Sequence, residues 1–227
     1  MIFNYFKTGL RNLNKRKGYT LLNILGLTVG MTCCLLIFHY VSYERSYDSE
    51  LSNSNDIYRV RLDYYQQGKL AWKSATSYPG IPPAMKREFP EVENYCRLID
   101  AEMLLANEGA NVKFKEDKGY FAEQSFVKMF DMELISGTAS HALTGPDKMI
   151  ISEKMAKKYF GTDQVLGKTL TVKDESNPQV YEITGVFKEY PKNSHLAIEY
   201  LASYDTFKKL LRQDGDTTNA AETSFGW

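Results

Sequence analysis

The sequence lacks charged side chains in one long stretch and acidic side chains in a longer one. No Lys, Arg, Asp or Glu occurs between Gly18 and Tyr43, and residues 1–43 contain five basic residues but no acidic one. Residues 44–227 contain 23 basic and 28 acidic residues, so the zero net charge of the chain conceals a basic end and an acidic body. Because the larger part has no basic stripe, nucleic acid is excluded as a partner.

Cysteine and histidine are scarce. Cys33 and Cys34 lie in the uncharged stretch, where we interpret them as small packing residues. Cys96 is the one cysteine in residues 44–227, so that part of the sequence has no second cysteine with which to form a disulfide. The three histidines are His39, His141 and His195. They are too far apart, and have no carboxylate at ligand spacing, so the sequence predicts no metal site.

Two short motifs resemble catalytic or nucleotide-binding sequences but lack their context. The segment Gly161–Thr169 resembles a P-loop, yet it has five residues between its glycines where a P-loop has four, and a predicted helix precedes it. Ser125 and Lys128 have the spacing of penicillin-recognising enzymes, but no S-D-N or K-T-G motif follows. We therefore predict no catalytic site, no cofactor and no enzymatic activity.

The uncharged stretch predicts a transmembrane helix. Tyr19 to Val41 would span about 35 Å at about 1.5 Å per residue, enough to cross a bilayer with some tilt. A soluble core helix and a cleaved signal peptide are the alternatives. The run is long for a signal peptide, and Glu44-Arg45 follows it where a cleavage site would lie.

Basic residues before the helix predict its orientation. Positive charge favours the cytoplasmic side, which puts the amino terminus inside and residue 44 onward outside. The residues that carry this prediction are Lys7, Arg11, Lys15, Arg16 and Lys17. Apolar residues at spacings of three and four also predict an amphipathic basic helix over residues 1–18, on the cytoplasmic leaflet or a cytoplasmic partner.

Small and polar residues in the predicted span indicate a helix with neighbours. Gly26 and Gly30 form a G-x-x-x-G pattern, which lets a second helix approach closely. Asn23, Thr28 and Thr32 add polar groups that would prefer a protein partner to lipid. We expect Asn23, Gly26 and Gly30 to be the helix-packing residues.

The outer part predicts one α+β domain over residues 44–212, with a polar tail over 213–227. Strands are predicted at 57–65, 70–76, 92–99, 112–115, 148–151, 170–172 and 181–187, and helices at 79–89, 124–130, 153–160 and 206–212. Ser152 is the expected N-cap and Gly161 the expected C′ residue of the third helix, and Asp205 is the expected cap of the last.

An ordered set of segments resembles the start of a MacB/FtsX-type ABC transporter permease. No segment is specific alone, but their order along residues 2 to 205 matches that family. The segments are Asn23–Gly30, Ser46–Asp48, Asp56–Val60, Phe130, Leu134–Gly137, Ala142–Leu143, Met149–Glu153, Ala156–Gly161, Gly167–Leu170, Ile183–Val186 and Pro191–His195.

The resemblance implies the architecture and role of the protein. It implies a transmembrane helix followed by a mixed α/β periplasmic domain, with a porter-like β-α-β layer and an inserted subdomain, at the cell inner membrane. It also implies a cytoplasmic ABC ATPase that binds the ATP, a permease dimer, contact with membrane lipid, and a periplasmic adaptor or other envelope protein. Because the family continues with further transmembrane helices, we expect the sequence to be an amino-terminal fragment.

Two functions from other classes remain open. A single-span sensor or binding protein with an extracytoplasmic domain would have the same first helix. An envelope enzyme would need a catalytic constellation that the sequence lacks. The transported substrate or envelope process is not determined by any motif.

Overall fold

The computed structural model describes residues 11, 15, 17–45, 54–173, 178–189 and 197–213. The chain separates into two compact units, Met1–Ser49 and Glu50–Trp227. The predicted amphipathic helix over residues 1–18 lies almost entirely outside the described residues. So do the predicted polar tail, apart from Gln213, and two of the segments that carry the family resemblance, Ser46–Asp48 and Pro191–His195.

The first unit contains one long helix, α1, which runs from Lys17 to Arg45 and has 29 residues. It encloses the predicted span, and none of its residues is buried. It is the one helix in the described chain that is long and apolar enough to cross a membrane. No proline interrupts it, so its backbone hydrogen-bond ladder has no break of that kind.

The second unit begins with a separate two-stranded hairpin. Strand β1 (Leu62–Gln66) pairs antiparallel with β2 (Lys69–Ser74). Gln67 and Gly68 both have positive φ, the combination that a tight type I′ hairpin turn requires. The predicted strand over 57–65 is wrong at its start, because residues 57–61 have no strand pairing in the described chain.

The remainder of the second unit is a mixed α/β domain. Its elements, in chain order, are α2 (Ile81–Glu88), β3 (Leu98–Asp100), β4 (Met103–Asn107), a 3₁₀ turn (Glu108–Ala110), β5 (Val112–Glu116), β6 (Gly119–Ala122), α3 (Ser125–Met129), β7 (Leu134–Gly137), β8 (Lys148–Ser152), α4 (Glu153–Phe160), β9 (Thr169–Val172), β10 (Gln179–Phe187), β11 (Tyr200–Ser203) and α5 (Tyr204–Gln213). An apolar helix followed by a mixed α/β domain is the fold class that the sequence predicts, and it is confirmed.

Nine strands form one sheet in the order β3-β6-β11-β8-β10-β9-β4-β5, with β7 also paired to β10. The pairs β8–β10 and β6–β11 are parallel, and the other pairs are antiparallel. Strand β10 is the longest, and it holds β8 on one side and both β7 and β9 on the other. It therefore joins the two halves of the sheet.

A bent hairpin, which we call the closing ribbon (residues 98–122), connects the two ends of this sheet. Its outer half, β3 with β6, lies at one end of the strand order, and its inner half, β4 with β5, lies at the other. Two residues join β3 to β4 and two join β5 to β6. Because such short links hold both ends together, the sheet must curl.

Two hydrophobic clusters fill the domain. The first lies within the curl and includes the buried side chains of Leu105, Tyr159, Tyr181 and Tyr200. The second packs around α3, from which Phe126 and Val127 are buried. Together they explain why apolar residues occur on both faces of β8, where Met149, Ile150 and Ile151 are all fully buried.

Helix ends test the capping predictions. The Ser152 hydroxyl accepts a hydrogen bond from the Met155 N–H at 3.1 Å, and Gly161 has φ of 69°, so both predicted caps of α4 are confirmed. The Asp205 prediction is wrong. Helix α5 begins at Tyr204, and the Ser203 hydroxyl accepts from the Asp205 N–H at 3.2 Å.

Candidate functional site

One face of α1 carries the predicted helix-packing residues. Asn23, Gly26 and Gly30 are spaced by three and four residues, so they lie along the same side of the helix. A Cβ atom built on Gly26 or Gly30 meets no atom within 4 Å. This side is therefore a shallow groove that the described chain does not fill, with a carboxamide at one end.

Thr28 and Thr32 lie on the side of α1 opposite the glycines. The Thr28 hydroxyl donates to the Ile24 carbonyl at 2.7 Å, and the Thr32 hydroxyl donates to the Thr28 carbonyl at 2.8 Å. Their hydroxyl groups are thus satisfied within the helix and do not need a polar partner in lipid. Of the three polar residues that the sequence singles out, Asn23 alone shares the glycine face.

The predicted orientation residues are only partly described. Lys17 is the first residue of α1, and Arg11 and Lys15 are exposed helical residues before it. Lys7 and Arg16 lie outside the described residues. The orientation of the helix remains a prediction.

A largely buried ion pair, Arg97 with Glu123, links three segments of the outer domain. Arg97 and Glu123 form a charged hydrogen bond, and the Arg97 guanidinium also donates to the Pro79 carbonyl at 3.0 Å. The guanidinium carbon lies 4.2 Å from the centre of the Tyr204 ring, within the range of a cation–π interaction. One side chain therefore links the segment before α2, the end of β6 and the start of α5.

Burial raises the pKa of two groups in this region. Desolvation raises the pKa of the Glu123 carboxyl above its ordinary value, although the Arg97 guanidinium acts in the opposite direction. Desolvation also raises the pKa of the Cys96 thiol to about 12. A thiol in that state is a poor nucleophile, so Cys96 has the properties of a packing residue.

The Gly161–Thr169 segment joins α4 to β9. Lys168 lies in a turn, where its N–H donates to the Val165 carbonyl at 3.0 Å, and its ammonium group lies 5.2 Å from the centre of the Phe160 ring. A P-loop leads from a strand into a helix, whose N-terminal amides hold phosphate. Here the order is helix, turn and strand, as the sequence predicts.

The remaining candidate groups have structural partners. The Ser125 hydroxyl donates to the Tyr95 carbonyl at 2.6 Å, and His141 lies in a turn. Cys33, Cys34 and Cys96 form no disulfide bonds. Within the described residues no group of three or more His, Cys, Asp or Glu side chains is placed to hold a metal ion.

Sequence reasoning missed two features of the outer domain. The Arg97–Glu123 pair joins residues 26 positions apart, and no local pattern indicates such a contact. The hairpin carries exposed aromatic side chains, Tyr64, Tyr65 and Trp72, close to Lys69 and Lys73. The interleaving of aromatic and basic residues around the Gln67-Gly68 turn could have indicated this surface.

Comparison with solved structures identifies similar domains. A domain of a candidate permease protein from Porphyromonas gingivalis has 30% identity and a TM-score of 0.51, with 60% of each chain covered, so this chain spans less than two thirds of it. The periplasmic region of MacB from Actinobacillus actinomycetemcomitans has 13% identity and a TM-score of 0.46, with 67% of each chain covered. The extracellular domain of the ABC-type transporter YknZ from Gram-positive bacteria has 20% identity and a TM-score of 0.44, with 60% of this chain and 67% of that chain covered.

Sequence comparison assigns the family. No curated protein matches the chain significantly. The sequence profile of the MacB-like periplasmic core domain matches residues 20–223, which is most of the chain. This match includes most of α1 and every described element of the outer domain, so the chain belongs to the family of the MacB-like periplasmic core domain.

Proposed function

We propose that this chain is part of the permease subunit of an ABC transporter, in which a partner ATPase moves the outer domain. The observation that carries the proposal is the direct succession of an unbroken 29-residue apolar helix and a MacB-like periplasmic core domain. A proline-free helix resists bending, so movement at its cytoplasmic end would be transmitted along its length.

The proposed topology places the five basic residues in the cytoplasm and the core domain in the periplasm. The partner ATPase would bind and hydrolyse ATP, and this chain would supply no nucleotide-binding group. The outcome would be export of a substrate or transmission of mechanical force to the envelope. A periplasmic adaptor and a second permease copy complete the proposed assembly.

The glycine face of α1 would contact another membrane helix. In lipid, close backbone approach at a G-x-x-x-G pattern stabilises helix pairs through van der Waals packing. Asn23 at one end of this face would add a hydrogen bond that lipid cannot provide. The threonines on the other side, already satisfied within the helix, would face lipid.

The test compares two double variants of the full-length protein, each co-expressed with a candidate partner ABC ATPase from the same organism. Gly26→Leu with Gly30→Leu fills the groove and should weaken the complex by about 1 kcal/mol or more, which is at least fivefold in affinity. Thr28→Val with Thr32→Val is the matched control and should leave complex yield and ATP turnover unchanged. Insertion into the membrane should be equal in both.

One result would contradict the transporter assignment, and a different one would contradict the helix contact alone. Suppose that no ATPase co-purifies with the wild-type protein and that the ATP turnover of the candidate ATPase does not depend on this protein. A single-span sensor or binding protein then becomes the better description. If both double variants behave as the wild type, the glycine face is not a contact, although the transporter assignment stands.

A further inference from the structure

The chain makes a detour between the hairpin and the curled sheet. After β2 it passes Pro79, forms α2 and a segment without strands, and then enters β3 at Leu98. We call the 17 residues between Pro79 and Arg97 the α2 loop (residues 80–96). No residue of α2 is buried, and fully extended the loop would span about 60 Å. Such a segment, held only at its far ends, would lengthen before it pulled on the sheet.

One side chain closes this detour. Nη1 of Arg97 donates to the Pro79 carbonyl at 3.0 Å, and Nε and Nη2 of Arg97 both donate to Oε1 of Glu123. Arg97 directly precedes β3, and Glu123 directly follows β6, the strand with which β3 pairs. The connection from Pro79 to the sheet is therefore one arginine side chain as well as the 17 residues of the α2 loop.

The geometry of Arg97 makes this connection stiff. The guanidinium group is planar, so its two hydrogen bonds to Glu123 fix the direction in which Nη1 points. The centre of the Tyr204 ring lies 4.2 Å from the guanidinium carbon, which restricts movement out of the plane. The Arg97 side chain is 8% exposed, so water competes little for the Pro79 carbonyl.

We propose that Arg97 is the joint through which a displacement of the segment before α2 reaches the curled sheet. Along the chain, α1 and the hairpin come before the joint, and the closing ribbon comes directly after it. With the joint closed, a pull on Pro79 acts at once on β3 and, through Glu123, on β6. With the joint open, the same pull would first extend the α2 loop.

The role of this joint rests on the proposed function, in which the membrane helix moves the outer domain. The inference adds the residue that would pass the movement on to the sheet. Arg97 acts through Pro79 and Glu123, so it is a positioning residue. Its presence as a mechanical connection can be measured without the ATPase, and the two ideas can therefore fail separately.

Optical tweezers applied to the full chain in detergent micelles test the joint directly. In a variant without Cys33, Cys34 and Cys96, Tyr58→Cys and Lys113→Cys provide exposed attachment points on the two sides of the joint. We expect a discrete lengthening of about 5 nm before the sheet unfolds. That length is the extended α2 loop less the native distance between its ends.

Two variants in this background test whether Arg97 produces the step. Arg97→Met with Glu123→Gln removes the joint without leaving a buried carboxylate unpaired. This double variant should lack the step and be longer by the same amount at low force, while the later unfolding of the sheet remains. Glu123→Gln alone is the matched control, because Arg97 can still donate to the amide oxygen and to Pro79, and the step should remain.

Arg97→Lys supplies the measurement if the double variant does not fold. Lysine retains the positive charge beside Glu123, but its ammonium group lacks the planar fork that holds Glu123 and Pro79 together. The step should therefore occur at a lower force than in the wild type. A step at unchanged force would show that the fork of Arg97 does not form the joint.

Hydrogen exchange provides an independent measurement without applied force. In the double variant, the amides of α2 should exchange at least about fivefold faster than in Glu123→Gln, because the loop is no longer closed. The amides of β8 and β10, in the middle of the sheet, should exchange at the same rate in both proteins. Equal rates in these strands would also establish that the sheet is folded.

Three outcomes would overturn the inference: a wild type without the step before the sheet unfolds, a double variant that retains the step, or exchange in the double variant that rises equally in α2, β8 and β10. The last result would make Arg97 a general stabilising residue. A missing step with intact ATPase binding would refute the joint and leave the proposed function in place. A clear step in a protein that binds no ATPase would do the reverse.

Discussion

The ring of Tyr200 lies directly over the α-carbon of Gly119 on the neighbouring strand. The two residues are paired in the parallel β6–β11 ladder, and the Tyr200 hydroxyl donates to the Ala101 carbonyl at the bend of the closing ribbon. A Cβ atom on residue 119 would lie 1.9 Å from Cζ of Tyr200. Glycine at this position is what allows the tyrosine to cross β6 and bind the bend.

Gly119→Ala should therefore lower the free energy of unfolding by about 3 kcal/mol, because an added methyl group must displace a fully buried ring. Urea unfolding of the full chain in detergent, followed by far-ultraviolet circular dichroism, measures this loss. Gly109→Ala is the control, since its Cβ would be at an ordinary 3.5 Å from the nearest atom, Asn107 Oδ1. Equal stability of the two variants would contradict the explanation.

The Glu123 carboxyl should contribute a pH dependence of known sign. Its pKa is raised in the folded chain, so the folded chain holds the proton more tightly than the unfolded chain. Its stabilising contribution is complete below the unfolded pKa, about 4.3, and is lost as the pH rises through the higher folded value.

Glu123→Gln removes this ionisation. As the pH rises from about 4 through the folded pKa, the stability of the variant should increase relative to the wild type. Urea unfolding at a series of pH values gives the difference between the two proteins, which isolates this group from all others. A difference that stays constant, or that changes in the opposite direction, would show that the Arg97 guanidinium outweighs burial.

The orientation of α1 can be tested with a cysteine on an exposed strand. In a variant without Cys33, Cys34 and Cys96, Lys113→Cys places a thiol on β5, where the lysine side chain is exposed. A membrane-impermeant maleimide should label it in spheroplasts before lysis, because the basic end is predicted to stay inside. Labelling only after lysis would reverse the topology.

Cys96 itself should react slowly in the same assay. With Cys96 as the only cysteine, burial and the thiol pKa of about 12 leave little thiolate. Labelling of the folded chain should therefore be at least about tenfold slower than labelling of the thiol that Lys113→Cys introduces on β5. Rates should become similar in urea. Rapid labelling of Cys96 in the folded chain would show that this part of the domain opens readily.

Lys168→Ala should change the free energy of unfolding only slightly, and it should not change the ATP turnover of the partner ATPase. Loss of the exposed cation–π contact with Phe160 should cost at most about 0.5–1 kcal/mol. Calorimetric titration of the full chain with magnesium ATP should detect no saturable binding, and Lys118→Ala provides a matched exposed lysine. Binding that Lys168→Ala abolishes would overturn the assignment of ATP to a partner.

Local signals in the sequence predicted the elements that depend on local chemistry. The apolar run gives α1, and Ser152 and Gly161 give the limits of α4, since capping groups act within one helical turn. Strands β8 and β10 were also predicted, because their apolar residues form clear runs.

Elements that depend on distant contacts were missed or misplaced. Strands β4, β6, β7 and β11 were not predicted, and the strand predicted over 92–99 is confined to Leu98–Asp100. Strand β11 has four residues, all buried, between two neighbours that are far away in sequence, so no alternation marks it. The Arg97–Glu123 pair likewise exists only because the fold brings together residues 26 positions apart.

The closing ribbon also governs how the domain can open. In an ordinary open sheet, each edge strand can fray alone, and such local openings cost much less free energy than global unfolding. Here the strands at opposite ends of the sheet are parts of one hairpin, joined by links of two residues. Displacement of one end therefore pulls on the other and uncovers the first hydrophobic cluster. A mechanical force on the outer domain would therefore act on a single cooperative unit, and the domain would move as a rigid body.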